Sequence, residues 1–266
     1  MADRTPVTTS TTEVIPLVSM LPARREGRQE SPRDAELEQF AADLEAVVDN
    51  RREILRRAVD VALATPALIV LAPALLLVAA GIKLDSRGPV FYTQDRVRIN
   101  RRRSERRDGT RGSHGRRRII NAGRPFRIYK FRTMRIDAEA AGPQWARGDD
   151  PRITRCGRFL RKTRLDEVPQ FINVLRGDMT LIGPRPERPF FVNILQQEIP
   201  HYSKRLLVKP GITGLAQVNN GYDDSIESVR KKVHWDLRYI RRQDARTHLQ
   251  IIAKTVRTIL TGEGAC

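Results

Sequence analysis

VALATPALIVLAPALLLVAAGI, residues 61–82, contains no charged side chain. A helix needs about 20 consecutive apolar residues to cross the hydrocarbon core of a bilayer, and this run has that length. The run is apolar on every side, which is typical of a membrane helix or of a helix buried in a globular core. The length of the run favours a membrane helix over a helix buried in a globular core.

Basic residues lie on both sides of the run. They are Arg51, Arg52, Arg56 and Arg57 before it, and Lys83, Arg87, Arg96 and Arg98 after it. Because basic flanks are typical of the cytoplasmic side, a straight span would place one flank on the wrong side. Pro66 and Pro73 each remove a helix hydrogen bond and bend the helix. We therefore predict a kinked re-entrant membrane helix over residues 51–83, with a spanning helix as the alternative.

The charge of the whole chain points to a polyanionic partner. The 266 residues carry a formal net charge of +18. Nucleic acid, an anionic membrane surface and phosphorylated substrates all fit that charge. Aromatic residues make up only 6% of the chain, which disfavours single-stranded nucleic-acid binding by base stacking. The two cysteines, Cys156 and Cys266, form no disulfide framework or zinc cluster, so a reducing compartment is expected.

Residues 1–50 begin with Thr, Ser and Pro and then become charged and Ala-rich. We predict a variable, disordered N-terminal tail there, and no signal peptide is visible in it. Residues 101–118, in an arginine-dense stretch, are predicted to form an inserted basic loop that lies on anionic lipid headgroups.

Short strand patterns and amphipathic helix patterns alternate in residues 84–266. Strands are predicted at residues 90–93 and 126–131, and helices at residues 226–241 and 248–260. The last of these carries an apolar stripe of Leu249, Ile252, Val256 and Ile259, which suits either core packing or a membrane surface. The patterns therefore predict an α+β, mainly helical fold: a compact domain with a few short strands on a kinked re-entrant helix.

Two adjacent acids, Asp166 and Glu167, are the first candidate for chemistry. Pro169 is tolerated only in the first turn of a helix, which places both acids at the positive end of the helix that Gly177 ends. They are then either simple helix-start residues or, beside Arg161 and neighbouring cations, a phosphate-handling pair. One carboxylate can attack phosphorus, while a second binds Mg²⁺ or takes a proton.

A second candidate is the proline-rich segment at residues 183–189, which contains Arg185. Alternating prolines fix the backbone and present this guanidinium for bidentate phosphate binding, unless the segment is only a structural turn. The segment at residues 209–214 is a tight, donor-rich loop that suits close approach to a phosphate. The four histidines show no metal-ligand spacing.

These segments together resemble the bacterial sugar transferase family, the monotopic phosphoglycosyl transferases, over residues 56–260. The resemblance is carried by five ordered motifs: KFRTM at 130–134, LDEVPQ at 165–170, NVLRGDM at 173–179, GPRP at 183–186 and KPGITGLAQVN at 209–219.

The resemblance implies an enzyme of the inner membrane whose catalytic domain faces the cytoplasm. It implies a UDP-sugar donor, an undecaprenyl phosphate acceptor, Mg²⁺ as cofactor, contact with anionic membrane lipids, no nucleic-acid partner and a possible homodimer. Asp166 would attack the donor, releasing UMP and leaving a phosphosugar on the enzyme for the acceptor, in the first step of exopolysaccharide assembly. Glu167 would assist in metal binding or in acceptor deprotonation, with Asp166 as the other metal ligand. Phosphate contacts are implied for Arg161, Arg185, Lys130 and Arg132.

The sequence departs from the family pattern in three places. Ala72-Pro73 stands where the membrane helix of the family typically has Ser-Pro, residues 101–118 look inserted, and the segment after residue 219 lacks an arginine found in some small members. A basic membrane-anchored protein or a nucleic-acid-binding protein without catalysis remains the alternative. Either alternative leaves the ordered motifs unexplained.

Overall fold

The computed structural model describes residue 44 and residues 50–99, 123–140, 150–220 and 225–261. Nearly all of the predicted N-terminal tail and the whole arginine-rich insertion at residues 101–118 lie outside the described residues; Leu44, within the predicted tail, is helical and buried. In chain order the elements are α1 (Asn50–Asp85), β1 (Phe91–Arg98), β2 (Arg124–Phe131), α2 (Arg155–Lys162), α3 (Gln170–Arg176), β3 (Thr180–Ile182), α4 (Pro189–Glu198), β4 (Gly211–Thr213), α5 (Ile226–Arg242) and α6 (Ala245–Thr261). The described part is mainly helical with a few short strands, as the sequence predicted.

Helix α1 is 36 residues long and continues through Pro66 and Pro73. Within the described residues it is the one helix long and apolar enough to cross a membrane. Its large apolar side chains are exposed in the middle of the run, with Val70 at 76% and Leu77 at 76%. The alternative of a buried globular helix is therefore wrong, because the rest of the protein does not cover these side chains.

Both ends of α1 are attached to the unit that follows it. Near the start, the Asp60 carboxylate accepts hydrogen bonds from the Thr180 hydroxyl (3.0 Å) and the Leu181 amide (2.9 Å). Near the end, Ile82 is buried, and the Asp85 carboxylate accepts a hydrogen bond from the Cys156 amide (3.0 Å). The exposed middle of the helix thus lies between two anchored ends.

Two small sheets position the segments that carry the motifs. Strands β1 and β2 are antiparallel, with Phe91 opposite Phe131 and Arg98 opposite Arg124. The predicted strand at residues 90–93 was too short, because pairing with β2 continues the extended backbone to Arg98. Strands β3 and β4 form a parallel pair.

The main core packs α4 and α5 with the 3₁₀ turn at Tyr202–Leu207, and a second core packs β2 against α3 and the start of α1. Helix α6 contributes Ile251 to the main core, while the residues of its predicted stripe lie outside that core, with Leu249 67% and Ile259 44% exposed. The core-packing alternative for that stripe is therefore wrong.

Candidate active site

The acidic pair lies in a short turn between two helices. Helix α2 ends at Lys162, Arg164 adopts the left-handed conformation (φ 58°), and Leu165–Glu167 form one turn of 3₁₀ helix. The prediction that the acids start an α-helix was wrong, because Pro169 is the N-cap of the seven-residue helix α3 and the acids precede it. Burial and the neighbouring charges set the electrostatics of the pair.

Glu167 is held by two cations. Its Oε1 accepts hydrogen bonds from Lys130 Nζ (2.8 Å) and from an Arg185 terminal nitrogen (2.7 Å), and the second terminal nitrogen of Arg185 reaches Oε2 at 3.4 Å. Burial alone would raise the pKa of Glu167, but the charges of Arg185 and Lys130 outweigh it and hold that pKa well below its usual range. Glu167 is therefore an ionised, fully engaged carboxylate.

Asp166 differs from its neighbour because its carboxylate is left without such partners. Among the described residues it makes no hydrogen bond or ion pair, and it is 8% exposed. Burial and the charge of Glu167 raise the pKa of Asp166 to about 6, against the lowering effect of Lys130, Arg161 and Arg185. Near neutral pH it is mainly ionised, and its oxygens are available to react.

Strand β2 supplies Lys130 to this cluster. Burial lowers the pKa of the Lys130 ammonium, and the adjacent Glu167 carboxylate opposes that effect. The pKa of Arg185 is raised, mainly by the charge of Glu167. Lys130 and Arg185 thus place two positive charges against one carboxylate, with Asp166 close by.

Arg161 lies at the edge of the cluster. Its Nε donates a hydrogen bond to the Thr133 hydroxyl (2.9 Å), and its charge acts on Asp166 without a direct hydrogen bond to it. Helix α2 approaches Thr133 closely at Gly157, where an added Cβ would lie 2.0 Å from the Thr133 carbonyl oxygen. A glycine is therefore required for α2 to bring Arg161 to this position.

Arg132 does not join the cluster. It is 5% exposed, and its terminal nitrogens donate to the carbonyl oxygens of Ser86 (2.7 Å) and Arg87 (2.9 Å), just beyond the end of α1. Strand β2 ends at Phe131, so the alternation that points Lys130 to Glu167 does not continue to Arg132. In this structure the guanidinium thus donates to main-chain carbonyl oxygens rather than to the acidic pair, and a phosphate contact by Arg132 stays a prediction.

The segment that carries Arg185 is fixed by its main chain. The carbonyl oxygens of four consecutive residues each accept a hydrogen bond: Pro184 from the Gly211 amide (2.9 Å), Arg185 from Arg205 (3.1 Å), Pro186 from Arg96 (3.0 Å) and Glu187 from the Val97 amide (2.9 Å). The donors come from three separate parts of the chain. The backbone from which Arg185 projects is therefore fixed by a hydrogen bond at each of these four residues.

The amide of Gly211 is occupied by this contact. An added Cβ on Gly211 would lie 2.1 Å from the Gly183 nitrogen, so the close approach that the sequence suggested is to the Arg185 segment. The donor-rich loop at residues 209–214 thus supports the Arg185 segment, and two of its residues, Ile212 and Thr213, line a cavity that Glu167 also lines.

No local sequence pattern indicates the ion pairs beneath this segment. Arg205 donates to the Asp236 carboxylate (2.6 Å) and to the Tyr202 hydroxyl (2.9 Å), and all three side chains are buried. Glu187 pairs with Lys232; burial would raise its pKa, but the charges of Lys232, Arg205 and Arg96 lower it to about 2. Glu187 stands within a noticed motif, whereas Arg205 and Asp236 are far apart in sequence and carry no local signal.

A cavity of about 1180 Å³ opens at the acidic pair. Its lining includes Glu167, Arg164 and Arg185, apolar residues of α1 and α6, and polar side chains such as those of Lys232 and Gln217. Asp166 is not among its lining residues, although it adjoins Glu167 in the turn.

The described residues contain no group of three His, Cys, Asp or Glu side chains arranged for a metal ion. Magnesium commonly binds through one or two carboxylates together with substrate phosphates. Asp166 fits that mode because its oxygens are free, whereas the Glu167 oxygens are already engaged by cations.

The described residues thus combine one long apolar helix, which suits a membrane anchor, with a unit that contains a buried acid–cation cluster. The model of the bacterial sugar transferase family matches residues 51–105 and 111–262, and the chain belongs to that family. The unmatched residues 106–110 lie within the arginine-rich stretch.

Three relatives illustrate the similarity. The UDP-N-acetylgalactosamine-undecaprenyl-phosphate N-acetylgalactosaminephosphotransferase of Aeromonas hydrophila is 42% identical over 211 residues, 79% of this chain and 45% of the relative. UDP-glucose:undecaprenyl-phosphate glucose-1-phosphate transferases of Caulobacter vibrioides and Escherichia coli (strain K12) are 37% and 38% identical, over 80% and 76% of this chain. The match spans 72% of the Caulobacter protein and 39% of the Escherichia coli protein, so the chain spans less than half the length of two of the three relatives.

Proposed function

We propose that this chain transfers a sugar-1-phosphate from a UDP-sugar to undecaprenyl phosphate and releases UMP. The names of the relatives support the substrate classes. The observation that carries the chemistry is the contrast between the two acids: Glu167 is bound by Lys130 and Arg185, while Asp166 beside it is unengaged and mainly ionised at neutral pH.

In the first step the Asp166 carboxylate attacks the phosphorus that carries the sugar. A bond forms between Asp166 Oδ and this phosphorus, and the bond from phosphorus to the bridging oxygen breaks, so that UMP leaves with the electron pair. Lys130 and Arg185 face the charge that builds up on the phosphate oxygens. The product is an aspartyl phosphosugar, an acyl phosphate.

In the second step an oxygen of undecaprenyl phosphate attacks the same phosphorus. The acyl phosphate bond breaks, the Asp166 carboxylate is restored, and an undecaprenyl diphosphate sugar is released. A phosphate monoester has a second pKa of about 6, so the attacking oxygen is mainly deprotonated at neutral pH.

Glu167 serves in this scheme to align the two cations. A carboxylate whose pKa lies far below neutral is a weak general base, and both of its oxygens are engaged. The ion pairs therefore favour the positioning role over acceptor deprotonation. If Mg²⁺ is the cofactor, Asp166 would hold it together with donor phosphates, and the ion would supply further neutralisation of phosphate charge.

Helix α1 is proposed to be re-entrant, with the catalytic unit on the cytoplasmic face of the inner membrane. Support comes from its two anchored ends: Asp60 and Asp85 both bind the same unit, although an exposed apolar run separates them. A straight span would carry one end to the far side of the bilayer, away from that unit.

The test measures UMP release from a UDP-sugar alone, with full-length protein in membranes or nanodiscs. Wild type is expected to release UMP and to retain labelled sugar phosphate that hydroxylamine removes. Asp166→Asn should abolish both signals and still fold, and Asp95→Asn, an exposed carboxylate in β1, is the matched control. Full activity of Asp166→Asn, or full wild-type activity without label, would remove the covalent step.

The names of the relatives do not identify the sugar that this chain transfers. The names of proteins of similar identity refer to N-acetylgalactosamine in one case and to glucose in two others. Screening a panel of UDP-sugars for UMP release identifies the donor.

A further inference from the structure

The walls of the cavity beside the acidic pair are two apolar rows that face each other. Helix α1 contributes Leu55, Val59, Leu63 and Ala67, and helix α6 contributes Ile252, Val256 and Ile259. The α1 residues recur every four positions and the α6 residues at spacings of four and three, so each row follows one face of its helix. Together they form a groove, defined here by these seven residues.

The groove is open among the described residues. Leu55 is 68% exposed, Leu63 51% and Val256 50%, although each of them lines the cavity. Apolar surface of this extent outside the protein core is typical of a site that another apolar group covers. The cavity of about 1180 Å³ exceeds the roughly 300–1,000 Å³ of pockets that hold drug-sized ligands.

The two polar groups on the α1 wall are already satisfied. Asp60 accepts hydrogen bonds from Thr180 and Leu181, and Arg56 donates to the side chain and the carbonyl oxygen of Gln243. The seven side chains of the groove are apolar and offer no hydrogen-bond partners to a nucleotide or a sugar, although threonine, glutamine and histidine side chains line other parts of the cavity. Arg164 and Arg185 line the same cavity together with Glu167, so the apolar groove adjoins the cations near the acidic pair.

We infer that this groove binds the isoprenoid chain of the acceptor, with its phosphate near Arg185. The inference rests on the proposed function, since it names where the lipid of that reaction lies. A chain with one anionic end and a long apolar body matches an apolar groove that adjoins cations. One wall belongs to the exposed membrane helix, so the chain can enter from the lipid side without crossing water.

The experiment compares Val256→Trp with wild-type protein in nanodiscs. A bulky side chain in the α6 wall narrows the groove and removes contacts with the isoprenoid chain. The KM for undecaprenyl phosphate is expected to rise about ten-fold, which corresponds to losing the burial of about two methylene groups. The KM for a short acceptor such as dimethylallyl phosphate should change much less. Acceptor turnover is expressed relative to UMP release by the same variant.

Leu260→Trp is the matched control, because Leu260 lies on the same helix, is 81% exposed and does not line the cavity. It should leave both KM values as in wild type. An equal rise for long and short acceptors in Val256→Trp, no rise, or a parallel loss of UMP release would overturn the inference. Absence of UMP release in wild type would instead refute the proposed function.

Photocrosslinking tests the groove without any substitution. A benzophenone placed on a polyprenyl phosphate should label residues 55–67 and 252–259 of wild-type protein, and excess undecaprenyl phosphate should compete. Labelling elsewhere, or equal competition by an ordinary phospholipid, would show that the acceptor chain does not occupy this groove.

Discussion

Arg205 donates a hydrogen bond of 3.1 Å to the main-chain carbonyl oxygen of Arg185. The rest of the Arg205 guanidinium binds Asp236 and Tyr202 in the protein interior. A buried ion pair thus determines where the backbone of a candidate phosphate-binding residue lies. The centre depends on side chains that never touch it.

We expect Asp236→Asn to lower both stability and activity. Removing the charge leaves Arg205 buried without its counterion, which costs about 3 kcal/mol in comparable buried pairs. The Arg185 segment should then relax, and UMP release should slow. Thermal unfolding in detergent and initial rates of UMP release measure the two effects.

Asp178→Asn is the control for this substitution. Asp178 pairs with Arg98 at 2.8 Å, but the two side chains are 16% and 30% exposed. A partly exposed pair contributes up to about 1 kcal/mol. If Asp236→Asn and Asp178→Asn lose the same amount of stability and of UMP-release rate, the Arg205–Asp236 pair has no special role.

The rate of UMP release should depend on the ionisation of Asp166. Only the carboxylate form attacks phosphorus, so with a pKa of about 6 the rate should rise as the pH passes through that value and level off above it. Glu167→Gln removes a negative charge that raises this pKa. It also frees Lys130 and Arg185, so the inflection should move to lower pH. A pH–rate profile of single-turnover UMP release measures it, and a shift to higher pH would contradict the assignment.

Gly157→Ala should displace helix α2. The new Cβ would meet the Thr133 carbonyl oxygen, and overpacking of this kind costs about 1–3 kcal/mol. The hydrogen bond from Arg161 to the Thr133 hydroxyl should weaken at the same time. Melting temperature and UMP release are the measurements.

Gly81→Ala provides the comparison. Gly81 lies in α1, and an added Cβ would be 3.6 Å from Cys156 Sγ, an ordinary contact. Replacing a helical glycine by alanine stabilises by roughly 0.5–1 kcal/mol, so this variant should unfold at the same or a higher temperature. If the Gly157→Ala and Gly81→Ala variants unfold at the same temperature, helix α2 tolerates the displacement that the added Cβ causes.

Labelling of single cysteines should place both ends of α1 on one side of the membrane. In a background without Cys156 and Cys266, Ile54→Cys and Leu84→Cys are exposed positions at the two ends, and Val70→Cys lies in the middle. An impermeant maleimide should label both ends in inverted vesicles and neither in right-side-out vesicles, with Val70→Cys protected in both. Label on opposite sides for Ile54→Cys and Leu84→Cys means that the helix spans the bilayer.

Local patterns predicted much of the fold. The uncharged run predicted α1, the alternation at residues 126–131 predicted most of β2, and Gly177 ends α3 as expected, in the left-handed conformation. These features depend on a residue and its near neighbours along the chain. The acidic pair was found for the same reason, since the two acids and nearby cations are adjacent in sequence.

The sequence did not predict contacts between residues that lie far apart along the chain. Lys130 and Arg132 stand two residues apart and were assigned the same role, yet the end of β2 between them directs one to Glu167 and the other to Ser86. Asp236 lies 31 residues from Arg205, and no periodicity links them. Arg205 and Asp236 come into contact only because α5 packs against the Tyr202–Leu207 turn, and no local pattern predicts that packing.

The contact of Glu167 with Lys130 and Arg185 means that the resting centre already contains an anion of its own. An incoming phosphate must exchange with this carboxylate, so a ligand with one weak negative charge gains little by entering. A diphosphate brings more charge than it displaces and can take over both cations at once. We therefore expect the internal anion to keep Lys130 and Arg185 paired between turnovers and to give way only to a group with more negative charge than one carboxylate.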